Sequence, residues 1–433
     1  MISKILIANR GEIAVRIIRA CREMGISTVA VYSEEDREAL HTLLADEAVC
    51  IGPARAKDSY LNMENIISAT ITSGAQAIHP GFGFLSENDR FAGLCEECNI
   101  IFIGPSSEVI RAMGNKTEAR NTMVEAGVTV IPGYNQPIES VEECIKIAET
   151  VTYPVIVKAA LGGGGKGMRV AYHADEIENA FLSAKKEAAA AFGDDRVYLE
   201  HFIENPRHVE FQILADSYGN VIQLGERDCS IQRNHQKMLE ESPCMALSKE
   251  LRRRMGDEAV KAARAAHYVN AGTIEFLLED DGRFYFMEMN TRIQVEHPVT
   301  EWVTGIDLIK EQIRIADGKR LSYKQEDVML TGHAIECRIN AENPEKNFRP
   351  SPGKITGLYM PGGKGIRVDT AAYSGYTVSP YYDSMLAKLI VHAKNRKEAL
   401  RKMRSALGEV IIEGIDTNVD YLYDLINRLE SEM

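Results

Sequence analysis

The chain has 433 residues, of which 45% are hydrophobic and 26% charged, and its formal net charge is -13. This length predicts about three domains of roughly 150 residues each, and the composition is typical of globular rather than disordered proteins. The negative charge argues against nucleic acid as the main partner.

The first hundred residues alternate between strand-like and helix-like patterns. Residues 4–8 and 28–32 read as buried strands, and apolar side chains recur at helical spacing between them. Short strands at 77–79 and 100–103, each followed by Gly or Pro, are typical of an open parallel sheet. The first turn reads Asn9-Arg10-Gly11-Glu12 rather than GxGxxG, so the dinucleotide fingerprint is missing from this Rossmann-like fold.

Two later changes in pattern divide the rest of the chain. A linker near Pro132-Gly133 leads into a helix at 141–150 and a strand at 154–160. Another unit begins near Gly332, where a strand at 334–339 precedes a turn-rich segment, and it closes with the apolar helix around Met403. The predicted domains are therefore 1–114, 115–330 and 331–433, and the fold class is mixed α/β and α+β.

Six residues, 162–167, form a glycine-rich loop (GGGGKG) between two strand-like runs. A Walker A loop would need Gly-Lys-Ser/Thr and a following helix, so this is not a P-loop. A glycine hairpin of this kind can still cradle phosphate through backbone amides and close over a reactive intermediate. The alternative is a flexible surface turn, which we rank second because four consecutive glycines carry a large entropic cost.

An acidic pair is predicted on a hairpin. Strand-like runs at 273–278 and 283–289 flank the turn signal Asp281-Gly282, which would place Glu275 directly opposite Glu288. Facing carboxylates repel one another, and a divalent cation bound by Glu275, Glu288 and Asn290 would remove that conflict. A protonated acid or a register slip is the alternative.

The segment after this hairpin carries Arg292 and Glu296. Arg292 is suited to grip a small planar anion and Glu296 to accept its proton, whereas the alternative is a plain salt bridge between the two. Among the lysines, Lys158 lies inside an apolar strand, and we predict that it is buried beside an anion. From spacing alone, His208 and His235 are as compatible with a structural role as with a functional one.

Together these strings resemble the biotin carboxylase family. The resemblance runs from end to end and is carried by residues 7–14, 79–88, 226–230 and 288–301 together with the glycine loop. It implies the ATP-grasp fold, with a mobile glycine-rich lid at about 131–203 inside the central domain.

The resemblance also implies roles for individual residues. Those matching nucleotide-binding positions are Lys116, Lys158, Gly164, Gly165, Glu200, His201, Phe202, Ile203, His208, Gln232, His235, Glu275 and Glu288. Those matching the metal ligands for Mg²⁺ or Mn²⁺ are Glu275, Glu288 and Asn290. Those matching the bicarbonate and biotin sites are Lys237, Arg292, Gln294, Val295, the base Glu296 and Arg338, of which Lys237, Arg292, Glu296 and Arg338 count as catalytic.

In this family, bicarbonate deprotonated by the base attacks the γ-phosphate of ATP to give carboxyphosphate, which releases carbon dioxide and phosphate. Phosphate then deprotonates biotin, and biotin captures the carbon dioxide. Positioning and charge neutralisation govern such phosphoryl transfer, and a closed lid keeps water from the intermediate.

Two residues depart from the expected family strings: Phe82 stands where Tyr is expected and Lys166 where Arg is expected. The chain also lacks the Met-Lys-Met signature of a biotin-bearing domain. The expected partners are therefore a separate biotin carboxyl carrier protein and the carboxyltransferase subunits of acetyl-CoA carboxylase, in fatty acid synthesis. Sequence alone leaves pyruvate carboxylation open, and family likeness suggests a homodimer.

We also expect a cytoplasmic protein that does not bind membranes, because the N-terminal apolar run is too short for a signal peptide or a membrane span and the eight cysteines show no disulfide spacing. Two other functions stay open at this stage. One is another ATP-grasp ligase, such as a carbamoyl phosphate synthetase-like enzyme. The other is a nucleotide-binding module without catalysis.

Overall fold

The structure is a computed structural model that describes residues 1–134, 136–159, 167–192, 194–234 and 236–432. The chain separates into two compact units. Unit 1 comprises Met1–Ala119, His208–Glu275 and Glu288–Met433, and unit 2 comprises Arg120–Arg207 and Phe276–Met287. Within the described residues, no helix is both long enough and apolar enough to cross a membrane.

Unit 1 begins with a five-stranded parallel sheet in the order β3-β2-β1-β4-β5, which confirms the predicted open parallel sheet. Its strands are β1 (Lys4–Ile7), β2 (Ser27–Tyr32), β3 (Glu47–Cys50), β4 (Ala77–His79) and β5 (Ile101–Phe102). The helices that accompany and follow it are α1 (Gly11–Glu23), α2 (Leu40–Leu44), α3 (Met63–Ser73), α4 (Asp89–Glu97), α5 (Ser107–Gly114) and α6 (Lys116–Glu125).

Helix α1 forms because apolar residues recur every three to four positions and cover the first sheet. Ile13 and Ile17 are buried and belong to one core cluster with Ile5 and Ile7 of β1. The helix starts at Gly11, whose φ of 68° is in the left-handed region that favours glycine. The turn between β1 and α1 therefore brings residues 9–12 to the carboxyl end of the sheet.

Unit 2 contains a four-stranded antiparallel sheet in the order β6-β9-β7-β8. Its strands and helices are β6 (Gly133–Tyr134), α7 (Val141–Val151), β7 (Val155–Ala159), β8 (Met168–Ala171), α8 (Ile177–Phe192) and β9 (Val197–His201). The predicted strand pair around the glycine loop is confirmed, since β7 and β8 pair antiparallel. Residues 160–166 of the loop lie outside the described residues, so the loop itself stays a prediction.

The largest sheet carries the residues of interest, and its strand order is β14-β13-β10-β11-β12-β15-β22-β20. Its strands are β10 (Arg207–Ala215), β11 (Val221–Arg233), β12 (Gln236–Ser242), β13 (Asn270–Leu278), β14 (Phe284–Asn290), β15 (His333–Asn340), β20 (Ile366–Thr370) and β22 (Met385–Ala393). Short strands fill the intervals: β16 (Glu342–Asn343), β17 (Arg349–Pro350), β18 (Gly353–Lys354), β19 (Gly357–Tyr359), β21 (Thr377–Val378) and β23 (Ile411–Glu413).

The remaining helices are α9 (Lys249–Ala265), α10 (His297–Thr304), α11 (Leu308–Ala316), α12 (Arg396–Glu409) and α13 (Val419–Ser431). The apolar helix predicted around Met403 is confirmed as α12, in which Met403 is buried together with Leu400 and Leu407. The chain does not close with this helix, however. Helix α13 follows it and buries Leu422 and Ile426 in the same core cluster.

Candidate active site

Unit 1 brings most of the predicted site residues together on one sheet and one loop. Glu275 lies on β13, Lys237 on β12 and Arg338 on β15, while Asn290 ends β14. Residues 291–296 form the loop from β14 to α10, and Pro298 occupies the first turn of that helix, where its missing N–H costs nothing. Residues distant in sequence thus meet because neighbouring strands of one sheet carry them.

A single ammonium holds three carboxylates. Nζ of Lys237 lies 2.6 Å from Oε2 of Glu210, 2.6 Å from Oε1 of Glu296 and 3.2 Å from Oε1 of Glu275. Burial alone would lower the pKa of Lys237, but Glu210 and Glu296 raise it well above its usual value. Lys237 is therefore a permanent cation at neutral pH.

Glu296 is held by a second cation at its other oxygen. Nη2 of Arg338 donates to Oε2 of Glu296 at 2.9 Å, and Nε of Arg338 donates to Glu240 at 2.6 Å. Burial alone would raise the pKa of Glu296, but Lys237 and Arg338 bring it below its usual value. Glu296 is also the N-cap residue of α10, where the helix dipole favours negative charge. This carboxylate is therefore ionised and oriented.

Arg292 does not pair with Glu296, so the alternative of a simple salt bridge between them is wrong. Nε of Arg292 donates to Oε2 of Glu87 at 2.8 Å, and Nη2 donates to Oδ1 of Asn290 at 3.0 Å. The guanidinium side chain is 21% exposed, so solvent and small anions still reach it. Glu87 belongs to the N-terminal part of unit 1 and orients this arginine.

The register predicted for the hairpin is wrong by one residue at its turn. The N–H of Glu279 donates to the carbonyl of Arg283 at 2.8 Å, and the N–H of Gly282 donates to the carbonyl of Glu279 at 3.0 Å. The loop therefore has three residues instead of two. In agreement, the rings of Phe276 and Phe284 contact one another, with 5.5 Å between their centroids.

Glu275 and Glu288 nevertheless act on one another. The pKa of Glu288 is raised, first by burial and next by the charge of Glu275. Glu275 itself accepts from Nδ2 of Asn290 at 2.8 Å and from Nε2 of Gln294 at 2.8 Å. Burial does not alternate strictly along β14, and Met287 is exposed beside the half-buried Glu288. Asn290 thus contacts Glu275, and the charge of Glu275 acts on Glu288. Two carboxylates and an amide oxygen are donor types that suit a divalent cation.

His208, which lies on β10, contacts two carboxylates. Its Nε2 lies 2.8 Å from Oε2 of Glu275 and 3.5 Å from Oε2 of Glu210. Burial alone would lower the pKa of His208, but Glu210 and Glu275 raise it to about 9. Where the sequence left its role open, the structure places His208 as a cation against the carboxylates.

Sequence reasoning missed Arg227, the largest fully buried side chain among the described residues. It donates five hydrogen bonds of 2.5 to 3.1 Å, and their acceptors are Glu210, Gln212, Thr273, Gln294 and Thr300. All five N–H donors of a guanidinium are thus used. The signal available in the sequence was the alternation of His208, Glu210 and Gln212 with apolar residues on β10, which predicts one polar face inside the core.

The remaining nucleotide-position residues are distributed over both units. In unit 1, Lys116 begins α6, and Nε2 of Gln232 donates to the carbonyl of Cys229 at 2.8 Å. In unit 2, Lys158 pairs with Glu200, and Nδ1 of His201 lies 3.2 Å from the carbonyl of Thr152. Phe202 and Ile203 follow β9 directly. Gly164, Gly165, Lys166 and His235 lie outside the described residues.

The prediction that Lys158 is buried is wrong. Its side chain is 35% exposed, because it lies near the end of β7, and the anion beside it is Glu200 of the neighbouring strand. The three residues before it are buried as the apolar pattern required.

Comparisons with known proteins place the chain in a family. Residues 1–110 match the biotin carboxylase N-terminal domain and residues 336–432 the biotin carboxylase C-terminal domain. Residues 115–324 match the ATP-binding domain of the carbamoyl-phosphate synthase L chain. Both flanking domains therefore favour biotin carboxylase over a carbamoyl phosphate synthetase-like ligase.

Similar proteins extend over nearly the whole chain. Biotin carboxylase 1 of Bacillus subtilis is 61% identical over 99% of this chain and 95% of its own length. A pyruvate carboxylase component of Methanothermobacter thermautotrophicus is 55% identical over 97% of this chain and 86% of its own.

Two solved structures share the fold. Campylobacter jejuni biotin carboxylase, in a complex with a β,γ-ATP ligand, gives a TM-score of 0.90 at 50% identity, covering 99% of this chain and 95% of that one. The biotin carboxylase domain dimer of Hydrogenobacter thermophilus 2-oxoglutarate carboxylase, with MgADP, ADP and bicarbonate, gives 0.89 at 52% identity, covering 99% and 94%. The chain therefore belongs to the biotin carboxylase family of ATP-grasp enzymes, the ligases that carboxylate biotin at the expense of ATP.

Proposed function

We propose that this chain carboxylates biotin on a separate carrier protein, using ATP and bicarbonate, with Glu296 as the general base. The observation that carries this assignment is the position of the Glu296 carboxylate, each oxygen of which contacts a different cation, Lys237 or Arg338. A base ionised in this way is ready to accept a proton at neutral pH. The same cations are placed to hold a small anion beside it.

Glu275, Glu288 and Asn290 are the proposed ligands of Mg²⁺ or Mn²⁺. The electrostatic conflict between the two glutamates supports this assignment, because a divalent cation would relieve it. Such an ion supplies neutralisation of the charge on the nucleotide phosphates. His208 and Lys237 hold the carboxylate of Glu275 in place, at 2.8 and 3.2 Å.

Bicarbonate is the proposed ligand of Arg292, Gln294, Val295 and Lys237. The guanidinium of Arg292 matches a planar carboxylate in geometry and charge, and Glu87 and Asn290 hold it in place. Glu296 takes the proton of bicarbonate, and the resulting dianion attacks the γ-phosphate of ATP. The bond to the bridging oxygen breaks, ADP leaves, and carboxyphosphate forms.

Arg338 is the proposed partner of biotin. Carboxyphosphate divides into carbon dioxide and phosphate, the phosphate takes the proton of the ureido nitrogen, and that nitrogen then bonds to carbon dioxide. Negative charge develops on the ureido oxygen during the deprotonation, and a fixed guanidinium stabilises it. Glu240 and Glu296 orient Arg338 for this task.

Nucleotide binding is proposed for the two sets of residues given by the family resemblance. Among the described residues these are Lys116, His208 and Gln232 in unit 1 and Lys158 and residues 200–203 in unit 2. Gly164, Gly165 and His235, which lie outside the described residues, complete the set by resemblance alone. We further propose the domain boundaries 1–114, 115–330 and 331–433, with a lid at about 131–203. The existence of a compact unit over Arg120–Arg207 supports such a lid.

A biotin carboxyl carrier protein and carboxyltransferase subunits are the proposed partners, in acetyl-CoA carboxylation for fatty acid synthesis. The similarity to Bacillus subtilis biotin carboxylase 1 supports this, and the pyruvate carboxylase relative marks pyruvate as the competing acceptor. A homodimer is proposed because a related domain is described as a dimer. We propose the cytoplasm as its location, since all eight cysteines are free.

The test is the release of phosphate from ATP by the purified chain with bicarbonate and free biotin varied separately. We expect ATP cleavage to require bicarbonate and to rise when biotin is added. Carboxybiotin formation from labelled bicarbonate should follow the same dependence. ATP cleavage that ignores biotin, with no labelled carboxybiotin, would contradict the assignment.

A further inference from the structure

A buried ion pair joins the start of the chain to its C-terminal part, and the proposed reaction does not use it. Glu12 lies in the first turn of α1 and is 5% exposed. Its Oε1 is 3.1 Å from Nζ of Lys388 on β22, a lysine whose side chain is fully buried. An ammonium removed from water in this way is costly unless carboxylates and hydrogen bonds surround it.

Lys388 is surrounded in that manner. Oδ2 of Asp369 lies 3.9 Å from its Nζ, and the ring of Phe82 lies 5.9 Å away at its centroid. Burial alone would lower the pKa of Lys388, but Glu12 raises it above its usual value, so the lysine remains a cation. In the sheet, Lys388 stands between Arg338 on β15 and Asp369 on β20 in register. It is therefore a direct strand neighbour of the arginine assigned to biotin.

A further contact of the Lys388 ammonium reaches the active-site loop. Its Nζ donates to the carbonyl oxygen of Val295 at 2.8 Å. That carbonyl belongs to the peptide group that joins Val295 to Glu296. Because a peptide group is planar, holding its oxygen sets the direction in which the chain enters Glu296.

The neighbouring carbonyls of the loop are satisfied locally. The carbonyl of Gln294 lies 2.8 Å from Nδ1 of His297, and the carbonyl of Ile293 accepts from Nη1 of Arg292 at 3.2 Å. Val295 differs because its partner comes from a distant strand. This contact therefore ties the position of Glu296 to β22 and, through Glu12, to α1.

We propose that Glu12 and Lys388 are positioning residues that hold the Val295–Glu296 peptide, and with it the general base, in register with the bicarbonate site. The inference rests on the proposed role of Glu296. Lys388 fixes the peptide oxygen, and Glu12 fixes the ammonium of Lys388. Displacement of a catalytic group by about 1 Å can cost about a hundredfold in rate, which is the reason such a buried pair has a kinetic effect.

The proposal gives a role to Glu12 of the Asn9-Arg10-Gly11-Glu12 turn. This turn lacks the glycine fingerprint with which a parallel-sheet domain binds a dinucleotide. Arg10 pairs with Asp36 at 2.6 Å and so contributes to the fold of the same turn. The competing explanation is that the Glu12–Lys388 pair only stabilises the packing of α1 against β22. It predicts loss of stability without any selective effect on bicarbonate.

The test compares bicarbonate kinetics with nucleotide binding in three variants. Lys388→Met removes the donor to Val295 and keeps the length of the side chain. The double variant Glu12→Gln/Lys388→Met also removes the unpaired carboxylate that the single change leaves buried. Glu12→Gln alone keeps the lysine. Bicarbonate-dependent ATP cleavage, ADP affinity by titration calorimetry and the midpoint of thermal unfolding are measured for each.

We expect Lys388→Met and the double variant to lose about 10- to 100-fold in kcat/KM for bicarbonate, as is typical when a group that orients a catalytic ligand is removed. The two losses should be equal, because in the proposal Glu12 acts on Val295 through Lys388. Glu12→Gln should lose less, and ADP affinity should change little in any variant.

A matched control removes a partly buried ion pair that does not touch the loop. Arg396 donates to both oxygens of Glu241, at 2.7 and 3.0 Å. Arg396→Met should lower the unfolding midpoint and leave kcat/KM for bicarbonate as it was. If the folded Lys388 variants keep the bicarbonate kinetics of the parent, or if Lys388→Met and Arg396→Met change them equally, the positioning role is refuted.

If the proposed role of Glu296 is wrong, a different result is expected. In that case Glu296→Gln would keep bicarbonate-dependent turnover, whatever the Lys388 variants do. Should Lys388→Met not fold, the double variant and Glu12→Gln decide the question by the same comparison. Unchanged bicarbonate kinetics in Glu12→Gln would remove Glu12 from the proposal.

Discussion

Nζ of Lys237 lies 2.6 Å from Oε1 of Glu296, so the proposed base and a permanent cation are in direct contact. The pair is surrounded by further carboxylates, because the same ammonium also reaches Glu210 and Glu275. Lys237 therefore serves as the common counter-ion of the base and of the proposed metal ligands. Binding of a small anion here would have to share these cations with Glu296.

Replacing the base should abolish turnover and spare nucleotide binding. In Glu296→Gln the side chain keeps its size but can no longer accept a proton, so we expect bicarbonate-dependent ATP cleavage to fall by about 10² to 10⁴-fold. ADP affinity, measured by titration calorimetry, should stay close to that of the parent. Glu311→Gln is the control, since Glu311 is a buried carboxylate that pairs with Arg314 instead. Turnover retained in Glu296→Gln would remove the residue from its role.

Replacing one proposed metal ligand should raise the metal requirement. Glu288→Gln removes a negative charge from the acidic pair, and we expect the magnesium concentration for half-maximal ATP cleavage to rise about tenfold or more. Magnesium titrations at saturating ATP measure it. Glu279→Gln alters the turn of the same hairpin and should leave the titration unchanged. Identical titrations for both variants would contradict a metal site at Glu288.

Removing the buried guanidinium of Arg227 should destabilise the protein strongly. Arg227→Met leaves Glu210 as an unpaired buried charge and Gln294 without its donor, and we expect a loss of about 3 to 5 kcal/mol in the free energy of unfolding. Urea unfolding measures it. Arg253→Met is the control, because Arg253 pairs with Asp257 on the surface and should matter by about 0.5 kcal/mol at most. Equal losses in the two variants would refute the role of Arg227.

Acid should destabilise the fold through His79. Burial lowers the pKa of His79 to about 3, whereas the pKa of a histidine in the unfolded chain is about 6.5. The unfolded state therefore binds more protons between these values, and the stability present above pH ~6.5 is progressively lost as the pH falls toward ~3. At pH 5 this single group accounts for about 2 kcal/mol.

Thermal unfolding from pH 7 to pH 4.5 tests this effect. His79→Asn keeps an acceptor for the N–H of Gly81, which the ring nitrogen Nδ1 accepts at 3.1 Å, but it does not titrate in this range. Its unfolding midpoint should fall less steeply with acid than that of the parent. His173→Asn changes an exposed histidine and should follow the parent. Parallel curves for His79→Asn and the parent would contradict the prediction.

Short sequence motifs allowed much of the site to be predicted. Asn290, Arg292, Gln294 and Glu296 lie within seven consecutive residues, so any fold that ends β14 there brings them together. The strand and helix positions of the parallel sheet were likewise predictable, because their apolar periodicity is local. The turn length was not, since Asp281-Gly282 is compatible with loops of two or three residues, and the register prediction failed for that reason.

The sequence by itself determined which chemical groups are available: the acidic pair, the arginine and base that follow it, and the family strings. Only the tertiary structure decided their electrostatic partners, such as Lys237 for Glu296 and Glu87 for Arg292. The tertiary structure likewise decided the five hydrogen bonds of Arg227 and the contact of Lys388 with Val295. The contacts of Glu296 with Lys237 and of Arg292 with Glu87 join residues 59 and 205 positions apart in the chain, and no local pattern encodes which distant segments become neighbours.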